Sequence, residues 1–227
     1  MKIALLGNGR TGKFVLDYAK DAEVFNEQRI PTTETLKECD VIISFLPGAP
    51  FVDLLPTLLE SKLPIVTGST GVEFPKDLSE KLQSNNQIMI HAHNFSLGMN
   101  VVRLMIQKMS ALADLFPEGT FNIHEVHHVH KIDGPSGTAI SFKNWLDREA
   151  KVSFDREGDV VGHHKITFES LEEKVTLVHD ANSRAIFAKG AVWAAQYILD
   201  HQAKLAPGLY QFNELIFSHL KKRGIEL

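Results

Sequence analysis

The chain has 227 residues, 44% hydrophobic and 23% charged, which supplies a core for one large or two small domains and excludes disorder as the main state. A formal net charge of -4 offers no basic face for a nucleic-acid backbone, so any anionic ligand must be met by a local cluster of donors. No apolar run approaches the ~20 residues that span a bilayer, the opening MKIALLGNG is too short an apolar run for a signal peptide, and the lone Cys39 has no disulfide partner; a cytoplasmic location is expected, with Cys39 as a small core residue.

From the N-terminus, short apolar runs alternate with amphipathic stretches. KIALL leads into a helix-like segment reaching Lys20, followed by EVF, DVIISF, PIVT and QIMIHA, with helical patterns at Leu54 to Leu59 and Leu78 to Leu82. This is the rhythm of βαβ units and a parallel sheet. After Asn94 the rhythm changes: a helix is expected from Gly98 to Ala113, then the β-branched run FNIHEVHHVHKI, a Gly/Pro loop, a helix from Ala139 to Ala150, and the strands HKITFES and KVTLVHD. A helix from Ala191 to Leu199, a turn at APGLY and a last helix to Lys222 follow. The expected class is α/β, a Rossmann-type parallel sheet with an inserted α+β domain built on an open mixed sheet.

The first strand runs directly into Gly7-Asn8-Gly9-Arg10-Thr11-Gly12 and then a helical pattern. In that context the first glycine serves a tight turn, the second lets a pyrophosphate approach bare backbone, and the third lets helix and strand pack closely. The pyrophosphate then meets unpaired N–H groups at a helix N-terminus. Glu27 stands where an acidic residue binds the ribose 2′-hydroxyl, while Arg29 and Lys13 are close enough in sequence to meet a 2′-phosphate instead. NADH or NADPH is the expected cofactor, against a merely structural βα turn with Glu27 and Arg29 as solvated loop charges.

The segment from His124 to Ala139 holds two readings. His124-Glu125-Val126-His127-His128 matches the HExxH pattern of zinc proteases, which requires a helix. The β-branched residues around it and the Gly134-Pro135 break favour a strand running into a loop, so no metal site is expected. As a strand, it places His127, Val129 and Lys131 on one face and His128, His130 and Ile132 on the other. Imidazole suits proton transfer near neutral pH, and ammonium holds a carboxylate. Pro135-Ser136-Gly137-Thr138 then precedes a helix, as an N-cap or a carboxylate cradle.

Taken together, Glu125-Val126-His127-His128, Lys131, Asp133 and Pro135-Ser136-Gly137-Thr138-Ala139 resemble the signature E-x-H-H-x-x-K-x-D-A-P-S-G-T-A of the 4-hydroxy-tetrahydrodipicolinate reductase family. Pro64 to Gly71, Asn94 to Asn100, Ser183-Arg184 with Phe187 to Ala191, and Pro207 to Tyr210 match further family segments in the same order. The resemblance implies a dinucleotide-binding domain at 1–97, a substrate-binding and oligomerisation domain at 98–190, C-terminal helices at 191–227 returning to the first domain, a hinge, and a homotetramer.

It also implies reduction of a small dicarboxylate cyclic imine, with His127 as general acid and Lys131 as its charged partner. His128, Lys131, Ser136, Gly137 and Thr138 would hold the substrate carboxylates. Gly68, Ser69, Thr70 and Phe95 would join the glycine loop and Glu27 in holding the cofactor. The sequence departs from the family in the short stretch between EVF and DVIISF, in Gly134 and Ser69 in place of alanine and threonine, and in Ser44 and Leu46. Another Rossmann dehydrogenase of a small carboxylated substrate, or a non-catalytic NAD(H)-binding sensor, is the alternative reading.

Overall fold

The computed structural model describes residues 1–224, which divide into two compact units, Met1–Ser96 with the residues from Arg184 on, and Leu97–Ser183. In the first unit the apolar runs become strands β1 (Ile3–Leu6), β2 (Glu23–Phe25), β3 (Val41–Ser44), β4 (Ile65–Thr67) and β5 (Ile88–His91). Helices α1 (Thr33–Leu36), α2 (Gly48–Glu60) and α3 (Leu78–Ser84) lie among them along the chain. β1, β3, β4 and β5 are buried along their whole length, as strands covered on both faces must be. Phe51, Leu55 and Leu58 of α2 pack with Ile42, Ile65 and Met89 in the core of this unit. Cys39 is buried in the same cluster, and burial with the nearby Glu23 carboxylate pushes its thiol up to about 11, so it stays protonated at neutral pH.

The second unit carries α4 (Leu97–Met109), α5 (Leu112–Leu115), β6 (Thr120–His127), α6 (Gly137–Leu146), β7 (Ala150–Arg156), β8 (His163–Glu169) and β9 (Lys174–Asp180). The chain then returns through α7 (Ala185–His201), β10 (Gly208–Gln211) and α8 (Phe212–Lys222). The large sheet has the order β10-β5-β4-β3-β1-β2, with every pairing parallel. Its order reverses at β1, which pairs with both β2 and β3, and the crevice beyond the carboxyl ends of such strands is where open α/β sheets hold ligands. The smaller sheet is mixed, in the order β7-β6-β8-β9, and packs Phe121, Ile123, Ile166 and Phe168 against Met99, Ile106, Phe142 and Leu146 of α4 and α6.

Several elements differ from the sequence expectation. The segment after the glycine loop is a short 3-10 helix, Gly12–Asp17, rather than a helix reaching Lys20, because Phe14 N–H bonds to Thr11 and Tyr18 N–H to Val15 in tight turns. The β-branched run stops pairing at His127, so the two-face alternation does not extend through Lys131. The helix expected to reach Ala150 ends at Leu146 on a left-handed Asp147, and Ala150 opens β7, a strand missing from the sequence reading. APGLY, read as a turn, holds β10, which joins β5 in parallel register. The helix expected from Ala191 starts at Ala185, where Gly190 lets α7 approach the chain so closely that a Cβ there would lie 1.7 Å from the Phe95 carbonyl oxygen.

Candidate active site

The glycine loop of the first unit meets three separate constraints. Gly7 has φ +82 and donates its N–H to the Phe25 carbonyl, tying the turn to the end of β2. Gly12 stands so near the turn that a Cβ would lie 1.9 Å from the Gly7 carbonyl oxygen, whereas a Cβ on Gly9 would meet nothing within 4 Å. The loop is therefore closed on its inner side and open on the side where a pyrophosphate would lie. Asn8, Gly9 and Arg10 are exposed on it. The short 3-10 helix carries less dipole than the α-helix expected there, which leaves the loop's own N–H groups as the main donors.

Beyond β2, Asn26 accepts backbone N–H bonds from Gln28 and Arg29 through its side chain, forming a turn with Glu27 near its tip. A cavity of about 220 Å³ beside it is lined by Leu6, Phe25, Glu27, Leu46, Asp53 and Leu54, among others. Arg29 does not face this cavity as a lone cation: its guanidinium is paired with Glu23 and lies over the Phe25 ring at 4.8 Å. Glu23 is also 3.4 Å from Lys2; partial burial opposes its ionisation, but the two cations hold its carboxyl below the usual range.

After β4, Gly68 N–H bonds to Ser44 and a Cβ on Gly68 would lie 2.7 Å from the Phe45 ring. Ser69 is buried, bonded through N–H and hydroxyl to Thr67, while its carbonyl lies 3.2 Å from His91 Nε2. Ser69 therefore shapes this turn and Thr70 is exposed on it. Phe95 is buried, edge-on to Phe45 and 4.7 Å from the Phe212 ring. The glycine-shaped cradle and the Glu27 cavity fit a dinucleotide.

In the second unit, β6 alternates cleanly and presents Glu125 and His127 on its buried face, while His124 lies on the other. His124 and Glu125 thus point to opposite faces, which rules out the helical HExxH arrangement. Glu125 is fully buried: Ser136 N–H donates to its Oε1 at 2.8 Å, the Ser136 hydroxyl donates to Oε2, and Arg156 lies 3.6 Å from Oε1. Across the ladder Glu125 faces His164, whose Nε2 is 3.6 Å from Oε2, and His127 Nδ1 is 3.7 Å from the same oxygen. The two imidazoles meet edge to face at 4.9 Å.

Burial pushes His127 below its usual range; Glu125 and Asp133 oppose this, and Lys131 and Arg156 add to it. His164, 4% exposed, falls to about 3 through burial and its neighbour His127, with His179 and His163 adding to it. Glu125, His127 and His164 are, among the described residues, the group whose ligand atoms gather closely enough for a metal, all within 4.8 Å. The carboxylate oxygens of Glu125 are already bonded by Ser136, and Arg156 lies 3.6 Å from one of them.

The loop after β6 is laced by Arg156, which donates to the carbonyls of Lys131 and Asp133. Lys131 bonds both oxygens of the exposed Asp133 at 2.8 Å. His128 is half-buried outside the ladder. Ser136 was expected to hold substrate, yet its hydroxyl is 3% exposed with its residue, bonded to Glu125 and accepting from Ala139 N–H as the cap of α6. Gly137 and Thr138 follow in the first turn, where backbone N–H groups lack helical partners. Arg156 and His164 were missed by the sequence reading; the only local signal was a histidine pair, His163-His164, opening a β-branched run.

A parallel sheet with its order reversed beside a glycine-shaped loop defines a Rossmann-type fold, and the second unit buries a carboxylate against two imidazoles. The model of the dihydrodipicolinate reductase C-terminus matches residues 98–216, more than half of the chain. The 4-hydroxy-tetrahydrodipicolinate reductase of Christiangramia forsetii is 35% identical over 223 residues, covering 88% of this chain and 93% of that one. The enzyme of the same name from Bdellovibrio bacteriovorus is 35% identical over 81% of this chain and 79% of its own.

The chain belongs to the dihydrodipicolinate reductase family, and it is an oxidoreductase that works with a nicotinamide cofactor. Its fold is shared with dipicolinate-bound dihydrodipicolinate reductase from Paenisporosarcina sp. TG-14, with TM-score 0.73 and 19% identity over 93% of this chain and 97% of that one. A C. glutamicum DAP dehydrogenase in complex with DAP aligns at TM-score 0.55 and 12% identity over 99% of each chain. No helix among the described residues is long and apolar enough to cross a membrane.

Proposed function

We propose that this protein reduces 4-hydroxy-tetrahydrodipicolinate to tetrahydrodipicolinate in diaminopimelate and lysine biosynthesis, with His127 as the general acid. The observation that carries this reading is the His127–Glu125–Ser136 constellation at the mouth of a helix-capped loop, in a chain of this family. When bound, the nicotinamide cofactor supplies the hydride. Gly7, Asn8, Gly9, Arg10, Thr11 and Gly12 hold its pyrophosphate, and Gly68, Ser69, Thr70 and Phe95 shape the nicotinamide end.

Lys131, His128 and the N–H groups of Gly137 and Thr138 hold the substrate's two carboxylates in register. Ser136 contributes by fixing α6 and Glu125. Once the 4-hydroxyl has left as water, hydride adds to one end of the conjugated imine, and the neighbouring carbon takes a proton from His127 Nε2. Space beside Nε2 is kept clear by Gly162, where a Cβ would lie 3.3 Å from that nitrogen.

NADH is the preferred cofactor in this reading. Glu27 and Asp53 line the cavity at the end of β2 and accept hydrogen bonds from ribose hydroxyls, while a 2′-phosphate would meet two carboxylates with Arg29 already paired to Glu23. The enzyme works in the cytoplasm as a homotetramer built through the smaller sheet, on the face that leaves Val178 43% exposed.

The test is oxidation of NADH and NADPH, followed by absorbance, in the presence of a synthase that condenses pyruvate with aspartate semialdehyde. Oxidation that requires the synthase product, faster with NADH, is expected. Folded protein that binds NADH and oxidises neither cofactor would favour the sensor reading instead.

A further inference from the structure

No exposed surface remains on Glu125, and it touches His127 rather than giving or taking the reaction's proton itself. A buried carboxylate is costly unless its charge is used. Four residues use it here: the Ser136 N–H and hydroxyl fix its two oxygens, Arg156 lies 3.6 Å from one, and the other is offered to His127 Nδ1 at 3.7 Å and His164 Nε2 at 3.6 Å. The alternation of β6 dictates this arrangement, since Glu125 and His127 are two apart on one face and Glu125 is paired directly with His164 on β8.

We infer that Glu125 is a positioning residue for the proton transfer: through the oxygen it presents to both imidazoles it orients His127 and sets the pH range in which His127 carries the proton to be delivered. The inference rests on His127 being the acid.

The charged and titratable groups facing His127 are Glu125 on its own strand, Lys131 and Asp133 on the following loop, Arg156 on β7 and His164 on β8. Two of them are cations that oppose an imidazolium, and burial opposes it too. The Glu125 carboxylate is the fixed group that counters them, because Asp133 is exposed and engaged with Lys131. A proton on Nδ1 faces Glu125, which leaves Nε2 to deliver the second proton. On delivery, the N–H bond at Nε2 breaks and the proton goes to the substrate carbon. The imidazole left behind keeps its proton on Nδ1, and water restores the one on Nε2.

The test combines 15N-histidine NMR with steady-state kinetics. In wild-type protein the neutral His127 should carry its proton on Nδ1, and finding the Nε2–H tautomer would overturn the inference without any variant. In Glu125→Gln, which keeps the shape and an acceptor for Ser136, the His127 titration should move down by about one pH unit. At pH 7.5 kcat should fall ~10-fold with KM within ~3-fold, and Glu125→Asp should recover part of the loss. A folded Glu125→Gln protein with the wild-type His127 titration and kcat profile would overturn the inference. Should Glu125→Gln fail to fold, the wild-type tautomer and the Glu125→Asp profile decide it. The tautomer and the titration are read without turnover, so full activity in His127→Ala would defeat the acid role while leaving this coupling to be judged separately.

Discussion

Ser136 and Glu125, eleven residues apart, are joined by two hydrogen bonds, one from the serine N–H and one from its hydroxyl, and the same hydroxyl accepts from Ala139 N–H at the start of α6. One side chain thus caps a helix and anchors a buried carboxylate. Ser136→Ala removes both hydroxyl bonds while leaving the N–H bond in place. A loss of about 2–4 kcal/mol in unfolding free energy is expected by chemical denaturation, above the ~0.5–2 kcal/mol of an N-cap alone because the bond to the buried carboxylate is lost as well. A loss within the ~0.5–2 kcal/mol of an N-cap would show that the Glu125 bond contributes nothing.

The glycine loop separates folding from binding. Gly12→Ala would place a methyl 1.9 Å from the Gly7 carbonyl, so both thermal stability and NADH affinity should drop. Gly9→Ala meets nothing within 4 Å and should unfold like the wild type, yet weaken NADH at least ~10-fold by filling the space a pyrophosphate needs. Fluorescence titration with NADH alongside thermal unfolding checks both. Wild-type NADH affinity in Gly9→Ala would show that the pyrophosphate lies elsewhere.

At the end of β2, Glu27 lines a cavity while Arg29 is taken up by Glu23. Glu27→Ser should lower the NADH over NADPH preference in kcat/KM by ~10-fold or more, mostly by relieving repulsion of the 2′-phosphate. An unchanged ratio would remove Glu27 from the ribose site.

Buried histidines make folding pH-dependent. His164 is held at about 3 in the folded protein, by burial first, against ~6.5 in an unfolded chain, so the unfolded chain takes up this proton first as pH falls. Its contribution is complete above pH ~6.5 and is lost as pH falls from there towards about 3, at up to ~1.4 kcal/mol per pH unit. His91 and His179 are lowered in the same direction, each by burial. Denaturant midpoints at pH 7 and pH 5 should differ less in His164→Gln than in wild type. An equal difference would mean that His164 does not titrate across folding.

What was legible in the sequence depended on how local its cause was. Gly7, Gly9 and Gly12 stand out in the sequence because each answers a constraint within a few residues, a positive φ, an open side and a close backbone approach. The apolar runs of the parallel sheet stand out because strands buried on both faces cannot alternate. The period-2 reading of the histidine run holds only to His127, since nothing local shows that pairing with β7 and β8 stops there. β10 hides in four residues after a proline and exists because β5 offers an open edge. Arg156 and His164 enter the site from strands 20 to 40 residues downstream whose register is set by tertiary pairing, so their sequence neighbours say little about them.

Proton delivery by His127 is tested by His127→Ala in the synthase-coupled assay, with NADH oxidation measured against substrate concentration. A fall in kcat of ~100-fold or more with KM changed far less is expected, because the interaction lost belongs to proton transfer in the transition state. A variant that keeps wild-type kcat and loses only affinity would contradict it, and would make His127 a carboxylate-binding residue with the acid elsewhere.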